Sequence, residues 1–130
     1  MNKQWMKIVF AASAVYDGVV SLAFLLFGPS LYDYVGIERP NHMGYVQFPA
    51  LLLIVFAVLY GRIASDPARW RDLIPYGIGL KVSYSIVVFY HWFAGGIPAF
   101  WVPFAWLDIA FVIFFVQAWR KLGAVNRATA

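Results

Sequence analysis

The 130-residue chain has no cysteine, only two histidines and only 12% charged residues. Without cysteine there is no disulfide, no thiolate metal site and no cysteine nucleophile, and nothing about compartment follows from redox chemistry. Two histidines without ligand spacing do not make a metal site. His42 and His91 both belong near one end of the molecule, with Glu38 and Met43 close in sequence to His42, but a closed metal or haem site needs further ligands. No cofactor is expected. Nothing resembles a phosphate-binding glycine loop, a zinc-protease helix, a nucleophile elbow or a GxxxG dimer motif. Low-complexity segments and convincing internal repeats are also missing; Ala14–Asp17 and Ala105–Asp108 share only an Ala-x-x-Asp spacing.

What the chain does have is apolar residues, 63% of the total, of which 20% of the chain is aromatic. Soluble domains hold roughly 45–50% apolar and 25% charged residues, so the composition is that of a membrane protein and the length that of one domain. The formal charge of +4 does not point to nucleic acid, because the basic residues are dispersed in twos and threes between apolar runs.

Four such runs predict an all-α integral membrane protein, an antiparallel four-transmembrane-helix bundle, with spans at about 8–27, 44–60, 74–93 and 103–119. The first is long for a signal-peptide core, carries Asp17 at its centre and ends in Gly28-Pro29 without a small-x-small cleavage pattern, so it is read as a retained span. At 1.5 Å per residue twenty residues cover roughly 30 Å, the thickness of the hydrocarbon layer. Residues 28–43 are expected to be a loop, with Ser30–Val35 as a short surface helix. Pro49 should kink the second span and free the Tyr45 carbonyl. Asp66 followed by Pro67 should start a short turn into the third span, with Trp70 at the headgroups, and Pro103 suits the first turn of the fourth. The tail from Arg120 to Ala130 is expected to be mobile.

Orientation follows from the basic residues. Lys3, Lys7, Arg62, Arg69, Arg71, Arg120, Lys121 and Arg127 fall on the side of the termini, and Arg39 alone on the other. Eight against one predicts both termini in the cytoplasm, and the compact spans and loops fit a bacterial inner membrane.

Lys81 lies inside the third span, where a lysine costs roughly 2.5–3.5 kcal/mol on insertion scales. It therefore needs a carboxylate, a wet cavity or a ligand. Asp17 and Asp108 lie in spans one and four at nearly the same depth, and the lysine stem can cover the offset. If all three converge the cluster carries one surplus negative charge, which a proton shared by the carboxylates would relieve. Ser13, Asp17 and Ser21 recur at four-residue spacing on one face of span one, with Ala14 and Gly18 beside them as a small-xxx-small pair. Lys81, Tyr84 and His91 share a face of span three. Tyr16, Tyr84 and Trp106 adjoin the ionic residues and could shape a pocket.

The expected ligand-binding or proton-linked set is thus Asp17, Lys81, Asp108, Ser13, Ser21, Tyr84 and His91. Its first reading is a protein that binds or transports a small lipophilic or cationic molecule. The rival is an accessory subunit whose buried charges only fix helix pairing. A third is an intramembrane enzyme acting on a lipidic substrate. The expected partners are membrane lipids, the small ligand, and a second copy or a larger membrane complex, since four short helices enclose little volume.

Overall fold

The computed structural model of the chain describes residues 3–129, with side chains described for residues 3–124. Four helices follow one another: α1 (Gln4–Val35), α2 (Gly44–Ser65), α3 (Ile74–Phe93) and α4 (Val102–Thr129). Single 3-10 turns at Arg71–Leu73 and Ala99–Trp101 lead into α3 and α4. All four helical segments are long and apolar enough to cross a membrane, and no strand occurs among the described residues.

Short connections make the bundle run up and down. α1 packs chiefly on α2 and α3 on α4, and the two hairpins meet along α1–α4 and α2–α3. One end, here the terminal end, carries the start of α1, the end of α4 and the 66–73 connection. The distal end carries the connections at 36–43 and 94–101.

The helices are longer than the apolar runs. α1 does not stop at Gly28-Pro29 but continues to Val35 across a kink, where Phe27 adopts the non-helical angles φ −127°, ψ 21°. The kink supplies what the sequence expectation lacked: an irregular residue just before Pro29 relieves the clash a proline makes with the preceding turn, so the chain resumes as helix instead of forming a loop. The stop comes at Gly36, with φ 77°; its N–H donates to the Asp33 carbonyl and the Ile37 N–H to the Tyr32 carbonyl. That pair of bonds around a left-handed glycine is the Schellman ending, and Gly95 repeats it after α3 with N–H groups of Gly95 and Gly96 on the carbonyls of Trp92 and His91. α2 runs through Pro49 as helix. The Asp66 turn forms as expected, with the Arg69 N–H donating to Asp66 Oδ1 at 3.3 Å. Beyond Arg120 the chain does not leave the helix: α4 continues to Thr129, and Leu122 is fully buried against the bundle. Ala130 and the Arg127 side chain lie outside the described residues.

The core divides by depth. The terminal half is closed by Met6, Phe10, Tyr60, Ile63, Ile74, Phe115, Ala118 and Leu122, all with no solvent exposure. Phe10 and Phe115 stack with centroids 4.4 Å apart, and Tyr60 lies 5.3 Å from Phe115. Close aromatic pairing of this kind contributes about 0.5–1.5 kcal/mol beyond area burial. The distal half holds a smaller cluster of Val88, Val102 and Ala105, confined to the α3–α4 hairpin. Around both, large apolar side chains such as Val15, Val19, Leu26, Val58 and Ile86 are exposed.

Candidate functional site

The middle of the bundle is ionic. Lys81 of α3 is fully buried, and its ammonium donates to both carboxylate oxygens of Asp17 on α1 at 3.4 Å and to Asp108 Oδ1 on α4 at 3.1 Å. Helical spacing accounts for the inward orientation. Gly77, Lys81, Ser85 and Val88 form the buried face of α3, and Ser13, Asp17 and Ser21 lie on that of α1. Asp108 follows Ala105 and precedes Phe115 on the corresponding face of α4.

Three rings complete the surroundings of the ammonium, with centroids at 4.8 Å for Phe111, 5.1 Å for Tyr60 and 5.5 Å for Tyr16. Carboxylates satisfy the charge from the side while the rings exclude water and add their own attraction for a cation. Tyr60 is locked in this position: it is fully buried, and its hydroxyl donates to the Gly77 carbonyl at 2.7 Å. Close approach of α2 to α3 requires glycine there, since a Cβ at position 77 would lie 2.6 Å from Tyr60 Cε1. Ser85, one turn after Lys81, donates to the Ala105 carbonyl at 3.3 Å and ties α3 to α4 just beside the cluster.

On the distal side of the cluster the bundle is hollow. A cavity of about 330 Å³ is lined by all four helices and reaches both Asp17 and Asp108. Lys81 is not among its lining residues. The walls are otherwise aromatic and aliphatic, with Tyr16, Phe24, Tyr32, Tyr84, Trp101 and Phe104 prominent, and Ser21 contributes a hydroxyl. Tyr45 and Pro49 of α2 also line it, so the proline that has no N–H to give the Tyr45 carbonyl stands at the cavity wall. The cavity therefore presents carboxylates at its inner end and rings along its length. The packed terminal core closes it from the other half of the bundle.

The seven residues expected to form the site fall into three groups. Asp17, Lys81 and Asp108 come together as one cluster, and Ser21 and Tyr84 line the cavity beside it. Their hydroxyls are engaged elsewhere: Ser21 donates to the Gly18 carbonyl at 2.9 Å, and Tyr84 to the Trp101 carbonyl at 3.0 Å. Ser13 is buried but lies toward the terminal end, outside the cavity, and its hydroxyl has no partner among the described residues. His91 is exposed and apart from the cluster, since seven residues past Tyr84 keeps the helix face but adds about 10 Å along the axis. His42 is also exposed, its Nδ1 accepting the Gly44 N–H at 2.9 Å. Trp106, expected to help shape the pocket, instead faces outward with 58% exposure. Two positions before Asp108 is the wrong side of a helix.

Tyr60 and Phe111 were not anticipated. A tyrosine at the end of an apolar run reads as an interfacial anchor, and one more phenylalanine among twelve carries no signal. Ser85 had a usable one, four residues after Lys81. Ala14 and Gly18 do permit helix contact, but not an unusually close one: a Cβ at Gly18 would stand 3.8 Å from Ala57, an ordinary distance. Comparison of the chain with protein-family models, curated proteins and solved structures finds no match.

Proposed function

We propose that this is a four-span integral membrane protein, with both termini on the cytoplasmic side, that binds a small lipophilic cation in the distal cavity. Support for the membrane comes from four spanning-length helices whose outward faces are apolar. Support for the orientation comes from the basic residues, crowded at the terminal end.

The observation that carries the ligand reading is the placement of charge relative to the cavity. Two carboxylates reach the cavity while the single compensating lysine stands outside it, so the hollow offers a monocation one surplus negative charge and an aromatic wall. A purely structural cluster would need neither the hollow nor the second carboxylate. An anionic headgroup would meet Asp17 and Asp108 at the inner end. The distal end of the bundle is not cationic either: Asp33 at the end of α1 and Glu38 stand against Arg39, and Arg39 is already held by Asp33 through a two-pronged contact. Binding needs no other change. Carriage across the bilayer would require the Phe10, Tyr60 and Phe115 packing to part.

Phenyltrimethylammonium and its neutral isostere tert-butylbenzene separate charge from shape. The cation is expected to raise the melting temperature of the purified protein saturably, as a ligand of the native state must. The neutral isostere should do so much less, and Asp17→Asn and Asp108→Asn should each remove the difference. Equal effects of the two compounds, or a cation effect that survives both substitutions, would exclude the proposed site.

A further inference from the structure

A second concave site lies at the terminal end, outside the cluster and cavity. It is an open depression of about 440 Å³ lined by Arg71, Trp119, Arg120, Lys121 and Ala124, with no acidic residue among them. Arg71 is built into the helix packing. From the turn before α3 it crosses to α4, where its Nε donates to the Trp119 carbonyl at 2.9 Å and its guanidinium carbon stands 4.6 Å over the Trp119 ring. Gly123 leaves the room, because a Cβ there would collide with the guanidinium. Held along one edge in this way, the guanidinium keeps its two terminal nitrogens unpaired among the described residues. Arg120 and Lys121 likewise have no carboxylate within ion-pair distance among those residues, and Lys121 Nζ lies 5.4 Å over the Trp5 ring.

We infer that this pocket seats the phosphate of an anionic phospholipid. Three cations with no counter-ion among the described residues, set around a concave space, call for a multivalent or diffuse anion, and a guanidinium fork matches phosphate oxygens. The location selects the lipid. Trp5, Trp70 and Trp119 gather at this end, where indole rings suit the headgroup layer, and Ile113 and Phe114 of α4 leave exposed apolar surface for acyl chains. Basic pockets between spans are the form such headgroup sites take. The inference rests on the membrane reading above but not on the cation cavity.

The test uses the full-length protein in mixed micelles with phosphatidylglycerol or phosphatidylcholine, reading lipid retention by native mass spectrometry and thermal stability in parallel. Each cation in the headgroup layer should favour the anionic lipid by about fivefold, so the wild type should retain phosphatidylglycerol by well over tenfold, less at high salt. Combined Arg71→Gln, Arg120→Gln and Lys121→Gln should abolish the preference, and Gly123→Ala should weaken it by displacing Arg71. If the triple variant fails to fold, Arg120→Gln with Lys121→Gln leaves the Arg71 bond intact and should still lower the preference by more than tenfold. A wild-type preference within twofold overturns the site. So does an equal loss from Arg62→Gln with Arg69→Gln, which would mark a diffuse surface charge. Stabilisation by inorganic phosphate equal to that by phosphatidylglycerol overturns the lipid assignment. Recovery without detergent would instead sink the membrane reading itself.

Discussion

Lys81→Met is the most informative single substitution, because methionine keeps the stem and removes only the charge. In the wild type the ammonium lies 3.4 Å from both Asp17 oxygens and 3.1 Å from Asp108, with side-chain exposures of 1%, 4% and 11% for the three residues. Deleting it leaves two buried carboxylates facing each other with no cation. Breaking a buried pair from one side costs about 3–5 kcal/mol, and that is the loss expected at neutral pH. The only local relief is protonation of the carboxyls. A carboxyl that is neutral in the folded variant binds one more proton than in the unfolded chain, so the variant's stability must fall as pH rises. The slope is about 1.4 kcal/mol per pH unit for one such carboxyl, so lowering pH from 7 to 5 should return about 3 kcal/mol, most of the loss. Tyr16, Tyr60 and Tyr84 are the remaining titratable neighbours, and they stay neutral across that range. The assay is reversible unfolding in mixed micelles, followed by helicity, for wild type and variant at pH 5, 6, 7 and 8. A deficit under about 1 kcal/mol at pH 7 that does not change with pH would refute the claim that Lys81 compensates two buried charges.

Asp17→Asn and Asp108→Asn should each be milder than Lys81→Met in the same assay, since each leaves one carboxylate opposite the lysine and a formally neutral cluster; a loss equal to that of Lys81→Met would mean both carboxylates are obligatory anions. Tyr60→Phe removes the bond to the Gly77 carbonyl but keeps the ring beside the ammonium, and should cost about 0.5–1.5 kcal/mol with cation binding retained in the thermal-shift titration. Gly77→Ala should destabilise despite alanine's better helix propensity, because a Cβ 2.6 Å from Tyr60 Cε1 forces the ring to move; circular-dichroism melts check the sign. Ser13→Ala should be neutral or stabilising, since it removes a buried hydroxyl with no partner among the described residues, and a loss above about 1 kcal/mol would show that something holds it.

The helices and the ionic cluster were legible in the sequence for the same reason: apolar runs of spanning length leave few explanations for a charge inside them. Lys81, Asp17 and Asp108 stood out because the background was silent. The boundaries were less legible where two signals competed. Gly28-Pro29 reads as a break, yet a single irregular residue at Phe27 accommodates the proline and the helix goes on to Gly36. The polar tail after Arg120 reads as solvated, yet Leu122 and Gly123 sit against neighbouring elements and hold it as helix.

The aromatic surroundings of Lys81 were illegible for a different reason. With twenty per cent of the chain aromatic, no single ring stands out, and which rings meet the ammonium depends on helix rotation and on contacts between distant elements. Tyr60 reaches it only because α2 and α3 approach closely at Gly77, and Phe111 only because it follows Asp108 by three residues on α4. The same geometry explains why the hollow lies on one side of the cluster. Toward the terminal end Phe10, Tyr60 and Phe115 pack on one another between the helices, while toward the distal end the rings of Phe24, Tyr32, Trp101 and Phe104 stand around a hollow that also meets the small side chains of Ser21, Val46 and Ala50. A buried ion pair set in a uniformly packed core is most simply a device for helix pairing. Set at the floor of a one-sided cavity, with its carboxylates turned to the hollow and its lysine behind them, the cluster has an unbalanced charge that only a proton or a bound cation can meet.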